Sequence, residues 1–194
     1  MTFMKVLYNK RAILTYSYFA MSNVLVSTLE TCLSDWLMDL FDFTPDKVAI
    51  YCFFFCSGAL VCSLIGICLS PATGKGIVVL VSLFISTFSL LLMGPSSLLH
   101  IPPIKPVVGV GLFLVGTQNV IDNYAISQIL KFTKNTVAWS EYGDLVNSAS
   151  GLKPVATGLG LLIGPVAGGL LTKSIGFSHM SEIYSLVFLM FGVT

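Results

Sequence analysis

Eighteen consecutive residues, Val155 to Thr172, carry no charge, and within them runs Gly160-x-x-x-Gly164-Pro165-x-x-Gly168-Gly169. A hydrocarbon core about 30 Å thick is crossed by roughly 20 apolar residues in a helix, so the segment has the length of a membrane span. Glycine lets a neighbouring backbone come into contact, and proline removes a ladder hydrogen bond and bends the helix. A rigid anchor needs neither property, whereas a transport helix that moves against its neighbours needs both.

The rest of the chain agrees with this reading. Of its 194 residues 55% are apolar and only 10% charged, with a mean hydropathy of +0.90. Water-soluble domains carry about 25% charged residues, so the chain reads as an all-α, polytopic membrane protein. A net charge of +1 with no cluster of Lys and Arg gives no basis for nucleic-acid binding. Cys32, Cys52, Cys56, Cys62 and Cys68 all lie in or beside apolar runs, and their odd number excludes a complete disulfide framework within one chain. They read as small packing residues. Cys52 and Cys56 are one helical turn apart but have no His or carboxylate nearby in sequence to complete a metal shell. Met1 to Arg11 is basic, yet the apolar run behind it has no small-residue cleavage site and outlasts a signal peptide. There is no phosphate loop, no His-x-x-x-His pair and no Gly-x-Ser-x-Gly elbow. The chain therefore reads as a protein that is not an enzyme and has no cofactor and no metal.

A tail over residues 1–11 precedes a membrane domain over 12–194. Apolar stretches predict spans at 12–33, 48–69, 77–93, 106–130 and 145–172. A sixth begins at 181 and stops at Thr194, too short to cross, which gives the expectation of a chain truncated there. Lys5, Lys10, Arg11, Lys75, Lys131 and Lys134 fall on one side of such a topology, against Lys47, Lys105 and Lys173 on the other. The positive-inside rule then places the N-terminus in the cytoplasm. Six spans split as three plus three, and each half closes on a Gly connection before an apolar helix, as inverted-repeat transporters do. No residue-level repeat is evident between 12–93 and 106–194, so the repeat rests on topology alone.

Polar groups inside these spans are the candidates for function. Glu30 follows eighteen residues without a charge and shares its span with Asn23. An ionised carboxylate in the bilayer costs about 2.5–3.5 kcal/mol on insertion scales. Glu30 therefore either binds a proton or a substrate cation, or marks the interfacial end of its helix. Gln118, Asn119, Asp122 and Asn123 form one polar segment in the fourth span, with Gln118 and Asp122 on one helical face. That face either lines an aqueous path or acts as polar glue between helices. Lys153 either snorkels to the interface or pairs with Glu30 or Asp122. His100 and His179 fall at span ends, where solvation is expected.

Three segments carry a family resemblance. The first span reads Asn23…Leu29-Glu30-Thr31-x-Leu33-x-x-Trp36-Leu37. A connection reads Leu92-Met93-Gly94-Pro95-Ser96-Ser97-Leu98-Leu99-His100-Ile101. The fifth span reads Ile163-Gly164-Pro165-Val166-Ala167-Gly168-Gly169, followed by Lys173-Ser174-Ile175-Gly176-Phe177. From Ala12 onward the chain resembles the C-terminal six-helix half of a major facilitator superfamily transporter, most like the vesicular amine and vesicular polyamine group. It departs from that pattern in three places. Thr31-Cys32 stands where Pro-Thr follows the acid, which implies a straighter helix. Leu69 to Gly76 lacks the Asp and Arg of the gating loop. Lys153-Pro154 stands where monoamine carriers have an acid.

The resemblance implies secondary active transport by alternating access, in the form of proton-coupled antiport of a small organic cation such as an amine or polyamine. It implies substrate and proton contacts at Glu30, Asn23, Gln118, Asn119 and Asp122, and gating at Gly160, Gly164, Pro165, Gly168 and Gly169. The expected surroundings are the lipid bilayer of a vesicle, endomembrane or plasma membrane. A major facilitator site lies between two halves, so the expected partner is an N-terminal six-helix half or a second copy. The alternative is a non-transporting membrane subunit, or a fragment of a split protein, serving as a helical interaction surface.

Overall fold

The computed structural model describes residues 10–94, 104–133 and 142–193, and all regular structure among them is helical. In chain order the helices are α1 (Lys10–Phe41), α2 (Pro45–Thr73), α3 (Lys75–Met93), α4 (Lys105–Val115), α5 (Gln118–Thr133), α6 (Tyr142–Ile175) and α7 (Phe177–Val193). Four apolar stretches on them are long enough to cross a membrane: Ala12–Phe41, Pro45–Thr73, Lys75–Met93 and Val146–Ile175. The apolar part of α7, Phe177–Phe191, is shorter. The architecture is all-α and compatible with a membrane-embedded protein. His100 and Lys134 lie outside the described residues.

Local chemistry sets the helix ends. α2 opens on Pro45 with Asp46 in its first turn. Pro has no N–H to lose there, and a carboxylate suits the positive end of the helix dipole. α2 and α3 are separated by the single residue Gly74, at φ 83° and ψ 142°. α6 and α7 are likewise separated by Gly176 alone, also at φ 83°. Both glycine N–H groups close the preceding helix, donating to the carbonyls of Ser70 and Thr172 at 3.0 Å. A side chain would be strained in this backbone region, so each connection depends on glycine.

The stretch 106–130, expected as one span, is two helices. The turn between α4 and α5 runs on short-range bonds: Gly116 N–H donates to Phe113 O, Thr117 N–H to Leu114 O, and Asn119 N–H to Gly116 O. Each joins residues three apart, the tighter pattern that marks a local departure from α geometry. The Thr117 hydroxyl contributes by donating to Leu114 O at 2.8 Å, a back-bond that competes with the backbone ladder.

α1 makes its most extensive packing against α6, and α2 packs chiefly on α4. α3 lies between α4 and α7. Leu25, Leu29 and Leu37 of α1, Leu90 and Met93 of α3, Leu112 of α4, and Met180 and Phe188 of α7 form the centre of the core. Large apolar side chains also face outward: Ile50, Phe53, Leu60 and Leu64 on α2, and Leu162, Val166 and Leu170 on α6. In a bilayer that surface meets lipid and costs nothing.

Two seams bring backbones together. On α2, a Cβ at Gly58 would collide with the Phe113 carbonyl, and one at Gly66 would lie 2.7 Å from Val120 Cγ1. On α6, Gly160 faces Asn23 and the Ala20 carbonyl, Gly164 faces Ser27 and Val24, and Gly168 faces Thr28. Residue numbers rise together across both seams, so α6 runs parallel to α1, and α2 parallel to α4 and α5. Consecutive spans alternate in direction, so parallel pairs require α4 and α5 to count as one crossing. The glycines share a register as well: Gly58, Gly66 and Gly74 recur 102 residues later as Gly160, Gly168 and Gly176. The sequence reading found no residue-level repeat, and contact geometry is what singles these positions out.

Candidate functional site

The α1–α6 seam is the most extensive helix contact among the described residues. A Cβ at Gly164 would sit 2.7 Å from both Ser27 Cβ and the Val24 carbonyl oxygen. The Thr28 hydroxyl donates to Gly164 O at 2.9 Å, and lies 3.2 Å from the Tyr184 hydroxyl of α7. Thr28 thus ties three helices at one point. Pro165 has no N–H, so it offers no hydrogen bond to the carbonyl one turn earlier, and it is half-buried beside the seam. Gly160, Gly164 and Gly168 are buried in the contact, whereas Gly169 is exposed with open space where a Cβ would lie. Gly169 is therefore outside the contact face that the motif implied.

Asn23 also belongs to this seam. Its Cβ packs where a Gly160 side chain would stand, and its Nδ2 donates to Phe19 O at 2.8 Å within α1. Both features make it a helix-contact residue in this conformation.

A second polar region lies behind the α4–α5 turn. Gln118 is 1% exposed, and the hydroxyl of Ser22, itself fully buried, donates to its Oε1 at 3.5 Å. Its Nε2 is buried and has no partner among the described residues. Next along the chain, the Thr117 hydroxyl lies 2.8 Å from that of Ser86, and Ser89 donates to Ser86 O at 2.7 Å. Polar side chains of α1, α3 and the turn thus meet inside an apolar bundle, where an unmatched amide costs roughly 1–3 kcal/mol. In this conformation Gln118 faces the interior and not an open path. Asn119 is half-buried and Asn123 exposed. Asp122 lies on α5, and its side chain is outside the described residues.

Glu30 is exposed on α1. It lines a cavity of about 170 Å³ with Ser34, Cys52, Phe55, Cys56 and Leu112. The bilayer-facing wall supplied by α2 is apolar, so a carboxylate in this cavity meets few groups able to replace water. Neither Asn23 nor Gln118 lines it. Three of the five expected contact residues therefore fall into separate places: Asn23 in a seam, Gln118 in the interior and Glu30 in a side cavity. Lys153 Nζ lies 5.4 Å over the Phe19 ring. Glu30 is eleven residues further along α1, about 16 Å by helical rise, which puts the Lys153–Glu30 pairing out of reach here.

One acid escaped the sequence reading. Glu182 is 8% exposed on α7, and its Oε2 lies 3.2 Å from His179 Nδ1. Its place at the start of the apolar stretch from 181 reads as a helix end, a weaker signal than the eighteen uncharged residues before Glu30. Compared with protein-family models and with curated proteins, the chain matches none.

Proposed function

We propose that the chain is the C-terminal-type half of a major facilitator transporter, built as an inverted repeat of α1–α3 and α4–α7, which works by alternating access. The observation that carries this reading is the glycine register. The second helix of each set presents glycines eight residues apart to the first helix of the other set, and each set passes to its last helix through one glycine at φ 83°. Inverted-repeat transporters rock one repeat against the other, which needs close, smooth helix contacts and discrete corners. The polar α4–α5 break inside the bundle fits the irregular backbone that such proteins tolerate where it is enclosed by protein.

On this reading Glu30 alternates between a proton and an organic cation, since a carboxylate neutralises one positive charge at a time. The cavity beside it is half a site, to be completed by an N-terminal half or a second copy. Gln118 and Asp122 serve the cation path in a state more open than the present one. The test is proton-driven uptake of a polyamine by vesicles holding the chain together with its completing half. Glu30→Gln keeps shape and loses titration, so uptake is expected to vanish while the folded yield stays within twofold of the parent. Undiminished uptake by that variant defeats the coupling role. The outward apolar faces of α2 and α6 equally suit a subunit that only binds other helices, and that reading gains if no gradient drives uptake in the completed assembly.

A further inference from the structure

A groove of about 570 Å³ runs between α2 and α4, lined by Tyr51, Phe54, Lys105, Gly109, Val110 and Phe113 among others. Its size lies within the range of ligand sites, about 300–1,000 Å³. It opens outward, with Phe54 and Val110 both exposed on helix faces turned toward the bilayer.

Its chemistry is graded. At one end stands Lys105, whose Nζ lies 5.1 Å over the Phe43 ring and 5.8 Å over that of Phe41, and no carboxylate of the described residues is ion-paired with it. The Tyr51 hydroxyl at that end is already spent, donating to Lys105 O at 3.0 Å. Lys105 also opens α4, whose N-cap, Ile104, offers no side-chain acceptor. The positive end of a helix dipole and an ammonium therefore coincide. Below them the wall is apolar, and Gly109 leaves it open: a Cβ there would touch only Tyr51 Cε1, at 3.7 Å.

We infer that this groove holds a glycerophospholipid of the bilayer, its phosphate at Lys105 and one acyl chain laid along Gly109 and Val110. The charge at one end matches the phosphodiester, the apolar wall matches the chain, and the level of Lys105 beside the α1–α2 corner matches the depth of a headgroup. The inference does not depend on transport.

The experiment is native mass spectrometry of the detergent-purified full chain, titrated with dioleoyl phosphatidylglycerol or with dioleoylglycerol, which has the same chains and no phosphate. The parent is expected to bind the phospholipid more tightly. Lys105→Ala is expected to weaken phospholipid binding about fivefold, the value of one basic side chain near a lipid phosphate, and to leave dioleoylglycerol unchanged. Gly109→Leu fills the groove without meeting backbone and replaces glycine by a better helix former, so it is expected to fold and to lose both lipids. Gly158→Leu, at an exposed α6 position with open space around it, is expected to lose neither. Parent-like phospholipid binding by Gly109→Leu overturns the groove. Equal weakening of both lipids by Lys105→Ala, or of neither, overturns the phosphate contact.

Discussion

α1 is a single helix of 32 residues, whereas the stretch that the proposed repeat sets against it is cut into helices of 11 and 16 residues at Gly116–Thr117. α2 and α6 show the opposite relation, since Gly58 and Gly66 of α2 keep the spacing of Gly160 and Gly168 of α6, and all four lie in helix contacts. At Gly58 and Gly160 an added Cβ would meet the backbone of the facing helix, and at Gly66 and Gly168 a β-branched side chain, so each of the four positions leaves little room for a larger residue. The first helix of each set is free to differ because its polar residues have different work. In α1 they sit on the seam with α6, as Thr28 and Asn23 do. At the α4–α5 turn Thr117 and Gln118 point inward, and the ladder is interrupted where Thr117 bonds its own preceding turn.

If the two sets are inverted copies, the corners at Gly74 and Gly176 lie on opposite faces of the membrane. Lys75 and Lys173 follow or precede those corners, and both are exposed. Single cysteines at these positions, in a background lacking the native cysteines, are expected to label from opposite sides of sealed vesicles, Lys75→Cys from the cytoplasmic one. Labelling of both from one side removes the inversion altogether. This outcome is all-or-none and bears hardest on the comparison.

The next effect in size is steric. At Gly58 the obstacle is the Phe113 carbonyl, at Gly164 the Val24 carbonyl and Ser27, and at Gly66 only the Val120 side chain. Backbone cannot yield as a valine can. Gly58→Leu and Gly164→Leu are each expected to cost about 3 kcal/mol or more, the upper part of the overpacking range, and Gly66→Leu about 1 kcal/mol. Unfolding in detergent micelles measures the order. In the completed transporter the milder Gly164→Ala adds the separating observation: substrate binding retained with uptake lost favours a moving seam, and parallel loss of folded protein favours a static one.

Substitution at the corners isolates backbone conformation from packing, because nothing lies within 4 Å of a Cβ built on Gly74 or Gly176. Gly74→Ala and Gly176→Ala are expected to lose about 1–3 kcal/mol each, the cost of holding an L-residue in that region. Equal losses within measurement error support equivalent corners. A loss at one alone shows that only that corner is fixed in place by its surroundings.

How much of this was readable beforehand depended on whether a feature is local. The α6 glycines were legible because five small or bending residues crowd ten positions, and the structure places three of them, Gly160, Gly164 and Gly168, in contact with α1. Gly58 and Gly66 were not, since each stands alone among Phe, Leu and Ile, and only the nearness of Phe113 and Val120 gives them meaning. The α4–α5 break falls where an apolar run meets the polar segment Gln118 to Asn123, and polarity alone does not tell a polar helix face from an interrupted helix. For Gln118 the polarity was plain and the direction was not. A polar residue in a span must face something, but which neighbour it meets is set by helix rotation, a tertiary property. Glu30 carried the stronger local signal and is exposed, whereas Glu182, at the polar start of its stretch, is the buried one.

The smallest effects fall at that break, and they test why the two sets differ there. The Thr117 hydroxyl lies within bonding distance of the Ser86 hydroxyl, Leu114 O and Ser82 O, so Thr117→Val keeps the branched shape but removes these bonds. Hydrogen bonds between membrane helices average about 0.6 kcal/mol and reach about 1.7, which bounds the expected loss. Gln118→Leu removes an amide whose Nε2 has no partner among the described residues, along with one long bond from Ser22. Relief of the unmatched donor offsets the lost bond, so stability is expected to stay within about 0.5 kcal/mol of the parent, or to rise. Side by side in detergent unfolding, a loss for Thr117→Val with none for Gln118→Leu shows that the hydroxyl holds the break and that the amide is kept for another conformation. A loss of 1 kcal/mol or more for Gln118→Leu shows instead that the amide is matched in the resting protein, and removes the break as a place held ready for an incoming group.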